Sequence, residues 1–375
     1  MEYKQFPEIE QQRIYDGVKA WHDAGFRGQG VNVWNTESNT EHSEIVTRRI
    51  YDSAPDCKVY QAGLTLSTVS GKVVATCNYD GKEYDIEEFI KQCNIKAVTR
   101  SIGGGTAIDT IESNWWKNLQ DKYNLLICNS AGNEASEGCG GSIPPDVALY
   151  IGACNLVKGT PKRDWYSSIG EEIDFVDFRG IWSGSSFASP YYLGIGILFK
   201  SRFNINMTQQ EIFKLTKMIC LDMEEVGYDI KTGWGLPILP NVNKRYITMT
   251  TKAKCYQING QEKQMDTLPI NKDGTVFVPV RFIAEELGCT VDAKFNEDKT
   301  IKVIITKGDK EIILNTNSDI AFIKKDNYYL RDYLNFAPYI DENNRTLVPV
   351  RFVSEQFNCK VDWVQKDSKV MILEN

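Results

Sequence analysis

The chain has 375 residues, of which 42% are hydrophobic and 25% charged, and its net charge is −7. This balance is typical of a globular protein and lacks the clustered basic surface that a nucleic-acid-binding protein needs. The length exceeds that of a single small core, so we expect two domains.

Cysteine and histidine usage restricts metal and redox chemistry. The ten cysteines form no Cys-x-x-Cys pair and no compact disulfide framework, and several lie within apolar runs. We interpret them as buried thiols of a reducing compartment. The two histidines are His22, in a predicted surface helix, and His42. So few imidazoles disfavour a thiolate–histidine metal site, and we expect no metal and no cofactor.

The first 26 residues are charged and amphipathic, without the apolar run of a signal peptide. No stretch of the sequence reaches the length of a membrane-spanning helix. We therefore expect a protein of the cytoplasm, or one released by cell lysis.

Up to about residue 200 the chain alternates short apolar runs with helical patterns. Five runs predict buried strands, namely GVNVW, KVYQAG, IKAVTRSIGGG, NLLICNSAGN and ALYIGACN. Three segments predict helices, namely YDIEEFIKQCN, ESNWWKNLQDKY and SFASPYYLGIGILFKSRF. Apolar strands alternating with helices indicate an α/β fold, in which a parallel sheet is covered by helices on both faces. Functional sites of such sheets lie at the carboxyl ends of the strands.

This pattern ends near residue 241, where two prolines and a change of periodicity indicate a domain boundary. We assign residues 1–241 to the first domain and 242–375 to the second.

The second domain contains an internal repeat. The segment TVFVPVRFIAEELGCTVD at 275–292 recurs as TLVPVRFVSEQFNCKVDW at 346–363. Each copy predicts a strand, a helix that begins just after the proline, and another strand. Because one copy is too short to fold alone, we expect the two to pack together as one smaller α+β domain.

A candidate nucleophile lies in GIWSGSSFASPYYLGIGILF at 180–199, where a Gly-Ser-Ser turn directly precedes an apolar helix. A serine oxygen at a helix N-terminus lies near free amide donors, which stabilise a developing oxyanion. Taken alone, such a turn is more often a helix cap. This segment, however, resembles the nucleophile motif of the subtilisin-like serine proteases (subtilases), with Ser186 in the nucleophile position.

Further segments resemble the same family in the same order. The segment LLICNSAGNEAS contains Asn133 at the position of the side chain that stabilises the oxyanion, and PPDVALYIGACN and KTGWGLP match two structural landmarks. The segment VTRSIGGG is similar to the strand that pairs with an extended substrate peptide. It implies four substrate-binding residues, namely Ser101, Gly103, Gly104 and Gly105. The resemblance extends over roughly residues 12–241 and implies a peptide or protein substrate.

The base and acid of the family fall within WNTESNTEHSE at 34–44. His42 takes the position of the catalytic histidine, although Ser43 stands where glycine is usual. Asn35 takes the position of the triad aspartate, only seven residues before His42, so the long loop usual between them is missing. A strand ending at Asn35 and a helix capped by Thr40 still allow the two side chains to meet.

The acid of such a triad holds the imidazole in the required tautomer and stabilises its protonated form. Asn35 supplies no charge, so a protease that used it would be slow. In an ideal strand, Glu37 lies on the same side as Asn35 but about 6.6 Å away, a gap that its one extra methylene does not span. Glu37 is therefore the alternative acid only if the turn directly after Asn35 folds it back. We interpret Glu41 and Glu44 as solvated residues that favour the helix N-terminus. The sequence leaves open an acid at Glu37, a triad without charge, and an inactive site.

Both copies of VPVRF in the second domain resemble the N-terminal (stalk) domain of copper amine oxidase. We expect no copper there, because residues 242–375 contain no histidine and their cysteines are widely spaced. Arg281 and Arg351 hold equivalent positions in the two copies. We expect each to pair with an acidic residue of its own copy, the matching Asp292 or Asp362. The resemblance implies a binding or spacing module with a cell-surface, phage or protein partner.

Two functions are compatible with these features. The first is a serine endopeptidase that uses Ser186, His42 and Asn133. The second is a pseudoprotease that binds peptide or regulates a partner, which Asn35 favours. Retention of the other three residues favours the enzyme, because an inactive site is free to lose them. Structural calcium is frequent in the family, and the sequence leaves it open, because these loops do not reveal such a site.

Overall fold

The computed structural model describes residues 6–102, 110–138 and 143–375. The chain divides into two compact units after Val242. This position is one residue beyond the boundary predicted at residue 241. Within the described ranges, no helix is long and apolar enough to cross a membrane.

The first unit mixes helices and strands. Its helices are α1 (Pro7–Tyr15), α2 (Val18–Asp23), α3 (Glu41–Ser53), α4 (Ile86–Gln92), α5 (Thr110–Tyr123), α6 (Ser185–Arg202) and α7 (Gln209–Ile219). Its strands are β1 (Asn32–Asn35), β2 (Lys58–Gln61), β3 (Gly63–Val69), β4 (Lys72–Tyr79), β5 (Lys82–Asp85), β6 (Ile95–Arg100), β7 (Leu126–Ser130), β8 (Leu149–Val157), β9 (Thr160–Arg163), β10 (Ile173–Phe178), β11 (Cys220–Leu221) and β12 (Leu236–Pro237).

A parallel sheet forms the centre of this unit, with strand order β10-β8-β7-β6-β1-β2. Strand β9 extends it by pairing antiparallel with β8. Five of these strands, β1, β2, β6, β7 and β8, are the apolar runs predicted from the sequence. The predicted parallel sheet is confirmed.

Helices cover both faces of the sheet. Because successive side chains of a strand point to opposite faces, each strand contacts helices on both sides. Trp34 of β1 packs with Phe89 of α4 and Trp116 of α5 on one face. Asn35, the next residue, points to the opposite face and contacts α3. Helix α6 packs against α3, and almost all of its residues are buried. The predicted α/β class is therefore confirmed.

Helices α3 and α6 approach closely at Gly194. A Cβ at this position would lie 1.8 Å from Ser53 Oγ, so the contact requires glycine. Ser53 Oγ also donates to Tyr191 O at 2.8 Å. The helix with the predicted base and the helix with the predicted nucleophile are thus held directly against each other.

A small antiparallel sheet of β3, β4 and β5 was not predicted from the sequence. It begins directly after β2, and Leu64 N–H donates to Thr36 O at 2.8 Å. This hydrogen bond joins the small sheet to the carboxyl end of β1.

The second unit is rich in strands. Its helices are α8 (Val280–Glu286) and α9 (Val350–Gln356). Its strands are β13 (Tyr246–Thr250), β14 (Cys255–Ile258), β15 (Gln261–Gln264), β16 (Ile270–Lys272), β17 (Thr275–Pro279), β18 (Thr290–Phe295), β19 (Ile301–Lys307), β20 (Lys310–Asn315), β21 (Ile320–Lys325), β22 (Tyr328–Tyr333), β23 (Tyr339–Ile340), β24 (Thr346–Pro349), β25 (Cys359–Val364) and β26 (Lys369–Glu374).

Each repeat has the predicted order of strand, helix and strand: β17, α8 and β18 in the first copy, β24, α9 and β25 in the second. Strands β17 and β24 pair antiparallel. Ile283 of α8 and Val353 of α9 belong to the same buried cluster. These contacts confirm that the two copies pack together.

Each repeat arginine pairs with a carboxylate of its own copy, as predicted, but the partner is a glutamate of its own helix and not Asp292 or Asp362. Arg351 Nη1 lies 3.1 Å from Glu355 Oε1 and donates to Val361 O at 2.6 Å. Arg281 Nε lies 4.0 Å from Glu285 Oε1. Each glutamate follows its arginine by four residues on the same helix, a spacing that makes the two side chains neighbours on the helix surface. The aspartates lie on the next strand and lack this fixed proximity.

Candidate active site

The carboxyl end of β1 turns sharply at Asn35. Glu37 N–H donates to Asn35 Oδ1 at 3.2 Å, which closes a turn built on the asparagine side chain. Thr36 N–H still continues the sheet by donating to Thr99 O at 3.2 Å. The turn places Glu37, which is only 6% exposed, beside the start of α3.

Helix α3 begins with a capping box. Ser43 N–H donates to Thr40 Oγ1 at 3.2 Å, and Thr40 N–H donates to Ser43 Oγ at 2.9 Å. The predicted cap at Thr40 is confirmed, and Ser43, which replaces the usual glycine, completes it. Because the cap fixes the first helical turn, it also fixes His42, the second residue of that turn.

His42 and Glu37 are in direct contact, with Nδ1 of the imidazole 2.6 Å from Oε2 of the carboxylate. An ionised carboxylate only accepts, so the ring proton lies on Nδ1 and Nε2 is left to accept a proton. The hydrogen bond with Glu37 raises the pKa of His42 above its ordinary value, against the opposing effect of burial. This arrangement has the orientation that a general base requires.

Asn35 makes its contacts elsewhere. Its Nδ2 donates to Ser43 O at 3.1 Å and to Thr47 Oγ1 at 3.0 Å, while its Oδ1 accepts from Glu37 N–H. The asparagine is fully buried. The carboxylate at His42 Nδ1 is therefore that of Glu37, and the strand position of the family's aspartate faces the body of α3.

Other charged residues surround this pair. Glu41 and Glu44 are exposed on the first turn of α3. Burial lowers the pKa of Arg100, at the end of β6, and the charges of Glu112 and Glu37 oppose that shift. The negative charge of Glu37 thus interacts with a cation on the neighbouring strand.

The predicted nucleophile lies at the start of α6. Gly184 caps this helix with a φ of 133°, a conformation that favours glycine. Ser186 is the second residue of the helix, and its Oγ donates to Ser101 O at 3.1 Å. The rings of His42 and Phe187 lie 5.1 Å apart between centroids. Since Phe187 directly follows the serine, this contact places the start of α6 beside His42.

Asn133 lies against the same helix start. Its Oδ1 accepts from Ser185 N–H at 2.8 Å and from Ser185 Oγ at 3.1 Å. Because a backbone N–H only donates, the first contact fixes which way the amide points, and Nδ2 lies on the opposite side. Ser186 N–H is one of the first amides of α6, which have no acceptor within the helix. Asn133 Nδ2 and Ser186 N–H are thus two donors at the N-terminus of α6.

Two supporting residues were not recognised from the sequence. Tyr166 OH accepts from Gly184 N–H at 2.9 Å and donates to Asp164 Oδ2 at 3.0 Å, which holds the turn before the serine. Arg49 of α3 donates from Nε to Phe187 O at 3.2 Å, which links the two helices behind the site. No local motif marks either residue, because the contacts of Tyr166 with Gly184 and of Arg49 with Phe187 join segments that are distant in the chain.

The predicted substrate-binding residues are described in part. Ser101 directly follows β6, and its carbonyl faces Ser186 Oγ. Three of the four, Gly103, Gly104 and Gly105, lie outside the described residues.

The second histidine is remote from this constellation. His22 is half-buried on α2, with Nε2 2.7 Å from Ser53 O, and burial lowers its pKa. It is therefore packed more closely than the predicted surface position. Across the described part of the chain, no cluster of three or more histidine, cysteine or acidic residues is arranged to hold a metal ion.

A family model described as the copper amine oxidase N-terminal domain matches residues 236–301 and 292–372. The two matches contain one copy each of the VPVRF segment. Among curated proteins, none matches the sequence.

Three solved structures similar to the chain are proteases. A lanthipeptide protease is 14% identical, with 62% of this chain and 94% of that chain covered and a TM-score of 0.45. A psychrophilic subtilisin-like protease from an Antarctic Pseudoalteromonas is 10% identical, with coverage of 60% and 95% and a TM-score of 0.46. A prenylagaramide maturation protease is 17% identical, with coverage of 59% and 95% and a TM-score of 0.43. The chain is similar to these solved proteases, one of which is described as subtilisin-like, and, over residues 236–372, to the copper amine oxidase N-terminal domain.

Proposed function

We propose that the first unit is a serine endopeptidase of the subtilase type, in which Ser186 is the nucleophile, His42 the general base and Glu37 the orienting acid. The contact of 2.6 Å between His42 Nδ1 and Glu37 Oε2 is the observation that supports this most directly. It supplies the negative charge that Asn35 lacks, and it leaves Nε2 for the nucleophile.

In the proposed reaction, Ser186 Oγ exchanges the carbonyl of Ser101 for His42 Nε2 by rotation about χ1. Such hydrogen bonds often align only when substrate is bound. His42 takes the hydroxyl proton as Oγ attacks the peptide carbonyl, and it then protonates the leaving amine. A water molecule, deprotonated by His42, hydrolyses the resulting ester and restores Ser186.

The oxyanion formed in each step accepts hydrogen bonds from Asn133 Nδ2 and Ser186 N–H. Both donors are fixed before the reaction, one by the contact of Asn133 with Ser185 and the other by the helix backbone. Fixed donors cost little reorganisation as the negative charge develops. The substrate peptide would pair with the segment that begins at Ser101, as an added strand.

The second candidate is a pseudoprotease that binds peptide in the same cleft. Two observations favour it: Asn35 occupies the position of the triad aspartate, and the hydrogen bond of Ser186 Oγ goes to a backbone carbonyl. In this case Glu37 would serve only to hold His42 in the wall of the cleft.

Labelling with a fluorophosphonate probe separates the two candidates, because the probe reacts with a serine that a base has activated. We expect the full-length protein to be labelled, and Ser186→Ala and His42→Ala to abolish labelling. Ser183→Ala, which removes an exposed serine three residues earlier, is the matched control and should label normally. A folded protein that does not react with the probe would instead be a pseudoprotease.

A further inference from the structure

The buried side chain of Asn35 connects the two parts of the acid–base pair. Its Oδ1 accepts from Glu37 N–H at 3.2 Å, and its Nδ2 donates to Ser43 O at 3.1 Å. The chemistry of the two partners settles the orientation of the amide, because a backbone N–H only donates and a backbone carbonyl only accepts. A third contact, of 3.0 Å, joins Nδ2 to Thr47 Oγ1.

These contacts lie on either side of the contact between histidine and glutamate. Glu37 N–H belongs to the backbone of the acid, and Ser43 directly follows His42 on α3. We propose that Asn35 is a positioning residue whose carboxamide ties the turn that presents Glu37 to the helix that presents His42. This inference rests on the proposed function, because it takes Glu37 as the orienting acid.

The contacts also explain why asparagine occupies this position. An aspartate would keep an acceptor for Glu37 N–H, and the hydroxyl of Thr47 can turn and donate to it. It could not donate to Ser43 O, so two acceptors would face each other at about 3.1 Å in a fully buried place. Its charge would also lie next to that of Glu37, and like charges in close proximity disfavour ionisation. The residue that restores the family's triad should therefore impair this site.

The kinetic test compares Asn35→Asp with wild type on a peptide substrate, with kcat expressed per site titrated by fluorophosphonate so that misfolded protein does not count. Leaving a buried acceptor unpaired is expected to lower kcat by about tenfold to a hundredfold, with KM changed by less than about threefold. Asn32→Asp is the matched control. Asn32 lies at the other end of β1 and likewise donates to a carbonyl, that of Cys93, at 2.6 Å. It should lower thermal stability and leave kcat near that of wild type.

A second test needs no catalysis. The chain has two histidines, so ¹³C-labelled histidine gives two titrating resonances by NMR, which His22→Gln assigns. In Asn35→Ala, and also in this variant combined with Ser186→Ala, we expect the titration midpoint of His42 to fall toward that of a free imidazole, because the turn no longer holds Glu37 against it. A role of Asn35 in general stability would lower the unfolding temperature and leave this midpoint in place.

The inference is overturned if Asn35→Asp raises kcat or leaves it unchanged, since an aspartate would then serve as well as the asparagine. It is also overturned if the midpoint of His42 in folded Asn35→Ala equals that of wild type. A wild-type protein that neither labels nor hydrolyses peptide would refute the proposed function. The histidine titration then decides the inference on its own.

Discussion

Replacing Glu37 with glutamine removes a negative charge from the Nδ1 side of His42 and preserves the size of the side chain. In the proposed mechanism His42 is protonated in the transition state, and its Nδ1 then lies 2.6 Å from the carboxylate of Glu37. Coulomb's law gives about 1.6 kcal/mol for this separation in water and about 6 kcal/mol at an effective dielectric constant of ~20. The side chain of His42 is 42% exposed and that of Glu37 7%. We therefore take about 3 kcal/mol, which corresponds to a roughly hundredfold lower kcat for Glu37→Gln. This loss is smaller than the roughly 10⁴-fold loss associated with a fully buried triad acid.

The same substitution should move the pH profile. The hydrogen bond with Glu37 raises the pKa of His42, and the base works only while it is neutral. In Glu37→Gln the pKa of His42 falls, so the histidine remains neutral to a lower pH. The acidic limb of kcat/KM should thus shift to lower pH while the plateau decreases. Steady-state kinetics on a peptide substrate between about pH 4 and pH 9, normalised by fluorophosphonate titration, measures both effects.

Glu41→Gln provides the matched control, because it removes the same charge from an exposed residue adjacent to His42. It should leave the plateau within about twofold, since exposed charges are screened by solvent. If Glu37→Gln had the same plateau and the same acidic limb as Glu41→Gln, Glu37 would not be the orienting acid.

Two further predictions concern the oxyanion donor and a buried acid. Asn133→Ala should lower kcat by about 10²–10³-fold and leave KM nearly unchanged, as steady-state kinetics would show; an unchanged kcat would exclude Asn133 as a donor. Burial raises the pKa of Asp16 to about 7 from 3.8, so stability present at low pH is lost as the pH rises through this window. Asp16→Asn removes this titration and can still form hydrogen bonds with Val18 N–H and Tyr191 OH. Its free energy of unfolding, measured in urea, should therefore exceed that of wild type by a few kcal/mol at pH 8 and by almost nothing at pH 4. Equal gains at both pH values would contradict this assignment.

The central sheet was predictable where its strands are apolar throughout. Strand β10 was not predicted, because IDFVDF contains Asp177, which is fully buried despite its carboxyl group. Burial raises the pKa of Asp177 well above its ordinary value, because the interior of the sheet disfavours the charged carboxylate. The sheet of β3, β4 and β5 was missed because these strands are largely exposed and lack the long apolar run of a buried strand.

The candidate site was predictable at the level of residue types and landmarks. The positions of His42 and Ser186 followed from motifs that are contiguous in the sequence. The place of Glu37 was left open, because an ideal strand would keep it too far from the histidine. What moves it is the hydrogen bond from Glu37 N–H to Asn35 Oδ1, a local contact that the residue types permit without requiring. The contacts of Tyr166 and Arg49 depend on tertiary packing and have no sequence signal.

The short connection between β1 and α3 explains why the acid lies in the turn. Five residues, 36–40, link the strand to the helix, so α3 begins close above the end of β1. At this distance the side chain of Asn35 reaches Ser43 O and Thr47 Oγ1, which both lie beyond His42 along the helix. A carboxylate on the strand would therefore face the helix backbone, whereas one in the turn meets Nδ1 of the imidazole. The longer side chain of Glu37 then spans the remaining gap, and the strand position becomes available for a residue that can donate to the helix.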